Sequence, residues 1–360
     1  IDEAAARFDK DLEIAKKIQH SALPSVFPPY PNRKDFSIFA SMDAAKEVGG
    51  DFYDFYLLDE NHLAFVVADV SGKGIPGAMF MMTSKTLIKS HAESGLAVND
   101  VFTQVNAQLC ENNEAGMFVT AWMGILDLET GLIRYANAGH NPPVVRHKDG
   151  SYEYLKGRAN FVLAGMEGVR YKEQQLQLQQ GDEIYLYTDG VTEAHNVDKQ
   201  LFGEDRLLVS LNETAGMTVD EICRKVKADV DAFQGEAEQF DDITMLCVRL
   251  SEVENKMLSV TPTMETVSQV AAFVEEHLEK FEVPMKLSTK LMVAVDTVRL
   301  VFSDNGKPYN PLDAKEPDVT ASAEDRAIGG LGIFMVRKMM DKVEYMYKDG
   351  QNVLTLTMKV

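Results

Sequence analysis

Apolar positions in the first 22 residues repeat at the spacing of an amphipathic helix. Phe8, Leu12, Ala15 and Ile18 fall on one stripe, three or four residues apart, and charged residues surround it. Two interpretations stay open for residues 1–23. The helix either packs on its own domain or acts as a linker that pairs with its copy in a homodimer, as a short coiled coil.

Residues 24–250 alternate between apolar runs and turn-like clusters, which predicts many antiparallel strands. Turn-like segments at 59–62, 129–131 and 148–150 each separate two apolar runs, the pattern of a β-hairpin. Helical patterns are grouped between the predicted strands and cover residues 76–94, 99–112, 204–211 and 219–233. Strands with separately grouped helices predict an α+β layered domain.

A short acidic stretch at 251–255 predicts a boundary before a second, smaller domain at 256–360. In that domain we predict a strand at 298–303, a helix at 333–341 and a final hairpin around Asp349-Gly350. We also predict a strand and two helices between 256 and 295. The second domain is therefore also α+β.

Charge and composition exclude several classes of function. The net charge is −20, and residues 1–255 hold 41 acidic and 23 basic residues, so nucleic acid is not an expected partner. The sequence contains no apolar run of the roughly 20 residues that cross a bilayer. Three widely spaced cysteines form no disulfide framework, which favours a cytoplasmic location. Because residue 1 is Ile, we expect this sequence to be a fragment of a longer chain.

Four aspartates stand at the ends of predicted core strands, beside glycine turns or a second carboxylate. They are Asp51, Asp69, Asp189 and Asp241. Any one of them could simply be a turn or cap residue. If the strand ends converge, the four carboxylates would repel each other unless a cation neutralises them. Ligands that are all oxygens suit Mg²⁺ or Mn²⁺, so the sequence predicts a divalent metal site.

Five strings in fixed order carry a resemblance to a known family. They are GGDFYDFY (49–56), ADVSGKGIPGAMFM (68–81), YANAGHNPP (135–143), YTDGVTEA (187–194) and FDDITML (240–246). Together they resemble the bacterial, SpoIIE-like and RsbU-like branch of the metal-dependent PP2C-type protein phosphatases. The resemblance runs from about residue 16 to residue 250.

This resemblance implies an antiparallel β-sandwich flanked by helices, with two Mn²⁺ or Mg²⁺ ions at one edge that activate water for phosphate hydrolysis. By motif, Asp69 would bridge both ions and the carbonyl of Val70 would bind one. Asp51 would hold metal-bound waters, and Asp189 and Asp241 would hold the second ion. The implied substrate is a phosphorylated anti-anti-sigma (STAS) protein in sigma-factor partner switching.

Four nearby residues have less certain roles. Lys73 either meets a substrate phosphate or is a solvated loop lysine, and Glu193 either orients Asp189 or is simply exposed. His140 could be a general acid, but we favour a role in holding its loop by hydrogen bonds. Asp242 is expected to lie behind the metal ligands.

The second domain resembles the GHKL (Bergerat-type) ATPases, in particular the serine kinases that act as anti-sigma factors. The resemblance rests on Asp304-Asn305-Gly306 and on a glycine-rich turn at 329–332 before a predicted helix, where free N–H groups could bind phosphate. It implies an ATP site, with Asp304 at the adenine amino group and Gly306 against the base. Gly330 and Gly332 would lie near the phosphates.

This domain departs from the ATPase family at one place. The family's helix, with its Glu base and its Mg²⁺-binding Asn, should continue beyond Asp296, but a predicted strand follows almost at once. Either the domain is a degenerate ATPase, or a segment is missing from the sequence as given, which we favour. We therefore predict phosphatase but not kinase activity. The alternative is a non-catalytic regulatory protein that sequesters a sigma factor or a STAS partner.

Overall fold

The computed structural model describes residues 2–251 except 112 and 149, and residues 297–304, 307–313, 336–338, 340–348 and 350–359. The chain divides into two compact units, Ile1–Val253 and Glu254–Val360. Within the described ranges, no helix has the length and apolar character needed to cross a membrane.

The first unit contains two five-stranded antiparallel sheets with six helices in its described part. One sheet has the strand order β1-β10-β9-β6-β7 and the other β2-β3-β4-β5-β8. The strands are β1 Phe36–Asp43, β2 Phe52–Leu57, β3 His62–Val70, β4 Val119–Asp127, β5 Leu132–Ala138, β6 Val144–Arg146, β7 Tyr152–Tyr154, β8 Gln174–Gln177, β9 Glu183–Tyr187 and β10 Ile243–Leu250. The helices are α1 Asp2–Ala22, α2 Ile75–Glu93, α3 Val98–Glu111, α4 Asp189–Thr192, α5 Gly203–Asn212 and α6 Val219–Gln234.

Strand β9 shows how the layers are built, because successive side chains of a strand point to opposite faces. Ile184 and Leu186 join the large core that contains residues of both sheets. Tyr185 and Tyr187 join a second core, which the apolar faces of α5 and α6 cover. Helices α2 and α3 contribute their buried side chains to the first core. The sandwich flanked by helices follows from this alternation.

Strand register places the functional loops at one end of the sandwich. The start of β2 pairs with the end of β3, with Phe52 opposite Ala68. In the other sheet, the end of β9 pairs with the start of β10, with Tyr187 opposite Met245. The segments just outside these four strand ends can therefore meet.

The three hairpins predicted around residues 59–62, 129–131 and 148–150 are confirmed as β2-β3, β4-β5 and β6-β7. Strand β8 was not predicted, because its sequence QQLQ is mostly polar and only an edge pairing with β5 defines it. Helix α1 matches its predicted span, but its contacts differ from the predicted stripe. Ile18 is exposed, whereas Gln19 is buried and exchanges two hydrogen bonds with the backbone of Gly49.

The described part of the second unit is a three-stranded antiparallel sheet with the order β11-β13-β12. Its strands are β11 Thr297–Asp304, β12 Lys342–Lys348 and β13 Gln351–Lys359, and a short 3-10 turn spans Pro311–Asp313. The predicted strand at 298–303 and the final hairpin are confirmed. Of the predicted helix at 333–341, only residues 336–338 are described as helical. The elements predicted between 256 and 295 lie outside the described residues.

Candidate functional site

The four predicted aspartates come together at one end of the sandwich. Asp51 directly precedes β2, Asp69 is the second-last residue of β3, Asp189 follows β9, and Asp241 lies two residues before β10. The side chain of Asp69 is within hydrogen-bond reach of Asp51 and is close enough to Asp189 and Asp241 for their charges to repel it. Residues up to 190 positions apart in sequence thus form one acidic cluster.

The electrostatics show that this cluster lacks enough positive charge. Burial, followed by repulsion from Asp189, raises the pKa of Asp69 to about 7. Burial is also the main cause that raises the pKa of Asp189 to about 6, with Glu193 and Asp241 adding repulsion. The pKa of Asp51 is raised as well, by burial and then by repulsion from Asp69. A cation placed among these groups would reverse the shifts, because an opposite charge favours the ionised carboxylate.

Two buried threonine hydroxyls fix Asp51. Thr188 and Thr244 each donate a hydrogen bond to Oδ2 of Asp51, both at 2.6 Å. The backbone N–H of Thr244 also donates to the hydroxyl of Thr188 at 3.1 Å, which ties the end of β9 to the start of β10. The sequence analysis did not assign a role to either threonine, although both lie inside the quoted strings YTDGVTEA and FDDITML.

Asp242 organises the loop before Asp51. Its Oδ1 accepts a hydrogen bond from the N–H of Ala45 at 2.9 Å, and its Oδ2 accepts one from Gly50 at 2.8 Å. Gly190 permits this close approach of loops, since a Cβ there would lie 1.9 Å from the carbonyl oxygen of Asp242. Asp242 therefore uses both oxygens on backbone groups, in line with its expected place behind the ligands.

Lys73, from the loop before α2, reaches Asp241. Its Nζ lies 2.8 Å from Oδ2 of Asp241 and 3.0 Å from the carbonyl oxygen of Phe240, and it sits over the Phe240 ring. Neither predicted role of Lys73, at a phosphate or free in solvent, includes this ion pair. Among the described residues, no group of three or more His, Cys, Asp or Glu side chains is arranged as a metal-ligand set. The donor chemistry fits a hard cation, while Asp241 is held by Lys73 and Asp51 by two threonines.

His140 holds its loop. Its ring nitrogens hydrogen-bond Thr120 Oγ1 at 2.9 Å and the carbonyl oxygen of Tyr187 at 3.1 Å, and Asn137 pairs with its backbone N–H and C=O. Burial lowers the pKa of His140 to about 4, so the ring is neutral at pH 7. These contacts favour the loop-holding role over the general-acid role.

The remaining predicted positions have simple placements. Val70 ends β3 opposite Val119, and its carbonyl oxygen would lie 3.0 Å from a Cβ placed on Gly50. Glu193 is exposed at the end of α4 and raises the pKa of Asp189 by repulsion. Asp304 is the last residue of β11. Gly306, Gly330 and Gly332 lie outside the described residues, so the proposed nucleotide site is not described.

Two family models match the chain. The model described as Stage II sporulation protein E (SpoIIE) matches residues 59–251. The model described as Histidine kinase-like ATPase domain matches residues 289–358. The first match covers more than half of the chain, and it includes all of the acidic cluster except Asp51.

Curated relatives and solved structures agree with these matches. Protein IcfG of Synechocystis sp. is 31% identical over 266 residues, covering 66% of this chain and 41% of IcfG. Phosphoserine phosphatase RsbU of Bacillus subtilis is 29% identical, covering 66% of this chain and 70% of RsbU. The SiaA-PP2C domain of Pseudomonas aeruginosa superposes with a TM-score of 0.61 at 23% identity, over 69% of this chain and 99% of that domain. The PP2C-like sandwich predicted from the sequence is therefore confirmed.

Proposed function

Because the chain belongs to the SpoIIE family, we propose that it is a metal-dependent protein serine/threonine phosphatase. The observation that carries this proposal is the buried cluster of Asp51, Asp69, Asp189 and Asp241, whose charges nothing nearby balances except Lys73 at its rim. The printed name of the relative RsbU, a phosphoserine phosphatase, supports phosphoserine as the substrate group.

We assign two Mn²⁺ or Mg²⁺ ions to this cluster. Asp69 would bridge them with help from the carbonyl of Val70, Asp51 would hold coordinated waters, and Asp189 and Asp241 would hold the second ion. The fit rests on a donor set made only of oxygens and on the raised pKa values of Asp69 and Asp189, which report uncompensated negative charge. When bound, such ions activate water and neutralise the phosphate oxygens.

The chain's own residues prepare this chemistry by positioning. Thr188 and Thr244 hold Asp51 in one orientation, so this carboxylate does not need to reorganise during the reaction. Asp242 holds the backbone of Gly50 immediately before it. The Lys73 ammonium, half-exposed at the rim, attracts a phosphate dianion toward the cluster.

We further propose the arrangement of the whole chain in signalling. Residues 1–23 would be a linker helix, 24–250 the phosphatase domain and 256–360 an ATPase-type domain. The substrate would be a phosphorylated STAS-domain anti-anti-sigma protein, and the second domain would bind that protein or a sigma factor. Ile14 and Ile18 on α1, 47% and 56% exposed, support a homodimer through this helix. The chain spans less than half of IcfG, so these roles describe one part of such a system.

The decisive experiment measures phosphate release from a phosphoserine STAS protein with and without millimolar Mn²⁺. We expect release in Mn²⁺, its loss with EDTA, and a loss of roughly 10²–10³-fold in Asp189→Asn, because that change removes a charged metal ligand. The matched control is Asp205→Asn, an exposed aspartate on α5, which should stay within about twofold. Full activity in EDTA, or equal rates in the two variants, would refute the proposal.

ATP binding by the second domain needs a separate test. Calorimetric titration of ATP should give a Kd for the parent chain that weakens at least about tenfold in Asp304→Asn, as expected for loss of the adenine contact. The control Glu344→Gln changes an exposed residue of β12. Equal binding by the parent and Asp304→Asn would remove this assignment. We assign no phosphate transfer to this domain.

A further inference from the structure

A groove next to the acidic cluster has the opposite charge. It has a volume of about 710 Å³, and its lining includes Lys46, Lys73, Val197, Lys199 and Phe240, which together define the lysine groove. Glu238 is the one acidic residue in the lining, and His195 also contributes. In a chain of net charge −20, such a basic lining is a local exception.

The lysine groove begins where the acidic cluster ends. Phe240 lines the groove and directly precedes Asp241. Lys73 connects the two places, because its Nζ contacts the carbonyl oxygen of Phe240 and the carboxylate of Asp241. A chain whose phosphate lies at the cluster can therefore continue into the groove.

Two groove lysines have no charge partner. Lys46 and Lys199 are both exposed, and neither forms an ion pair within the part of the chain that the structure describes. Exposed lysines elsewhere in the same unit often pair with acids, as Lys227 does with Asp231. Two unpaired ammonium groups beside a phosphate site favour an acidic ligand.

The groove also presents apolar surface. Phe240 is 64% exposed and Val197 is 67% exposed, and the ring of His195 packs edge-on against Phe240. Large apolar side chains that flank charged groups are typical of protein-binding surfaces. The expected occupant therefore has one apolar side chain besides its acidic groups.

A tight turn fixes one wall of the groove. The side-chain Oδ1 of Asn196 accepts hydrogen bonds from the N–H groups of Asp198 and Gln200, and the N–H of Lys199 donates to the Asn196 carbonyl. Lys199 has a φ of +59°, in the region that favours glycine. A lysine at this backbone position costs stability, and such strain is often kept at functional sites.

The opposite wall is fixed as well. The amide of Gln239 donates hydrogen bonds to the carbonyl oxygens of Asp43 and Asp241, both at 2.8 Å. Thus the surface that presents Phe240 is tied to β1 on one side and to the acidic cluster on the other. Two fixed walls make a preformed binding surface, which costs little ordering on binding.

We propose that the lysine groove binds the acidic segment that flanks the phosphoserine in the protein substrate. This inference rests on the proposed phosphatase function and adds the substrate feature that the enzyme recognises. The phosphoserine would sit at the cluster, the acidic side chains would pair with Lys46 and Lys199, and an apolar side chain would pack on Phe240.

The test compares two substrates of the full chain in Mn²⁺: p-nitrophenyl phosphate, which cannot reach the groove, and a phosphoserine peptide with acidic flanks. In Lys46→Glu/Lys199→Glu, we expect kcat/KM for the acidic peptide to fall about tenfold, because each attraction becomes a repulsion. The value for p-nitrophenyl phosphate should stay within twofold. The matched control is Lys156→Glu, an exposed lysine outside the groove lining, which should change neither value.

Peptide chemistry provides the second arm. Replacing the acidic flanks by Gln and Asn should lower kcat/KM of the parent about tenfold and have little effect on the double variant. Lys199→Gly should fold at least as stably as the parent, yet bind the acidic peptide more weakly. Equal losses for both substrates, or an unchanged value for the acidic peptide, would overturn the groove proposal.

Binding keeps the two proposals separable. Fluorescence anisotropy of the labelled acidic phosphopeptide, measured on the chain carrying Asp69→Asn, needs no turnover. If the parent hydrolyses neither substrate, the phosphatase proposal fails. The groove proposal is then decided by whether the peptide Kd rises about tenfold in the double charge reversal.

Discussion

The two ends of strand β9 both bury acidic side chains, but they balance them differently. At its start, Glu183 is fully buried and accepts hydrogen bonds from Arg146, Arg249 and the hydroxyl of Tyr152. Its neighbour Asp182 accepts from His147 and from two backbone N–H groups. At the other end, Asp189 faces Asp69, Asp241 and Glu193.

The difference separates structural acids from functional ones. Pairing with arginine satisfies a buried carboxylate, so the start of β9 contributes to a specific, stable fold. At the end of β9, the fold holds like charges together, and the raised pKa values of Asp69 and Asp189 are the cost. Such an arrangement is useful only if another cation joins it. The predictions below separate these two ends by activity and by stability.

The largest expected effect is on catalysis at the unbalanced end. Asp69→Asn should lower kcat for phosphopeptide hydrolysis in Mn²⁺ by roughly 10²–10³-fold, because it removes the bridging charge. Glu183→Gln, the same kind of change at the other end, should leave kcat of the folded protein within about threefold. Steady-state assays on both variants, with circular dichroism to confirm folding, check this contrast. A comparable kcat loss in both would erase it.

The next effect is on stability at the balanced end. Glu183→Gln should lower the free energy of unfolding by about 3 kcal/mol, since it leaves Arg146 and Arg249 without their buried partner. The control Glu153→Gln, at an exposed position of β7, should change it by less than about 0.5 kcal/mol. Urea denaturation provides the measurement. If Glu183→Gln were as stable as the control, the structural role would be wrong.

A third effect concerns pH and His140, which connects β5 to the end of β9. Burial lowers the pKa of His140 to about 4, so the unfolded chain takes up this proton below about pH 6.5 while the folded chain refuses it. Stability is therefore lost as pH falls from about 6.5 toward 4, and the loss at pH 5 is about 2 kcal/mol.

The carboxylates titrate in the same range, so the measurement is a difference. Unfolding free energies of the parent and of His140→Gln are compared at pH 7.5 and pH 5. The parent should lose about 2 kcal/mol more than the variant between these values. Parallel losses would mean that His140 is not the buried neutral group described above.

The sequence was sufficient for the four aspartates, because each stands at a strand end inside a family string. It could not show how their loops are held. The partners of Asp51 and Lys73 lie 137 to 193 positions away, and which oxygen or ammonium meets which donor depends on loop packing. Strand β8 and the buried Gln19 escaped for a related reason: backbone pairing, not hydrophobicity, places them.

The smallest expected effect has the opposite sign from that of Glu183→Gln. In EDTA at pH 8, Asp69→Asn should raise the free energy of unfolding by about 1 kcal/mol, because it removes one of the charges that repel each other in the metal-free cluster. Adding millimolar Mn²⁺ should stabilise the parent more than the variant, since ligands that bind only the folded state shift unfolding by mass action. Thermal melts of both proteins in EDTA and in Mn²⁺ provide the four values. A variant less stable than the parent in EDTA would show that Asp69, like Glu183, is a balanced structural acid, and the distinction between the two ends of β9 would fail.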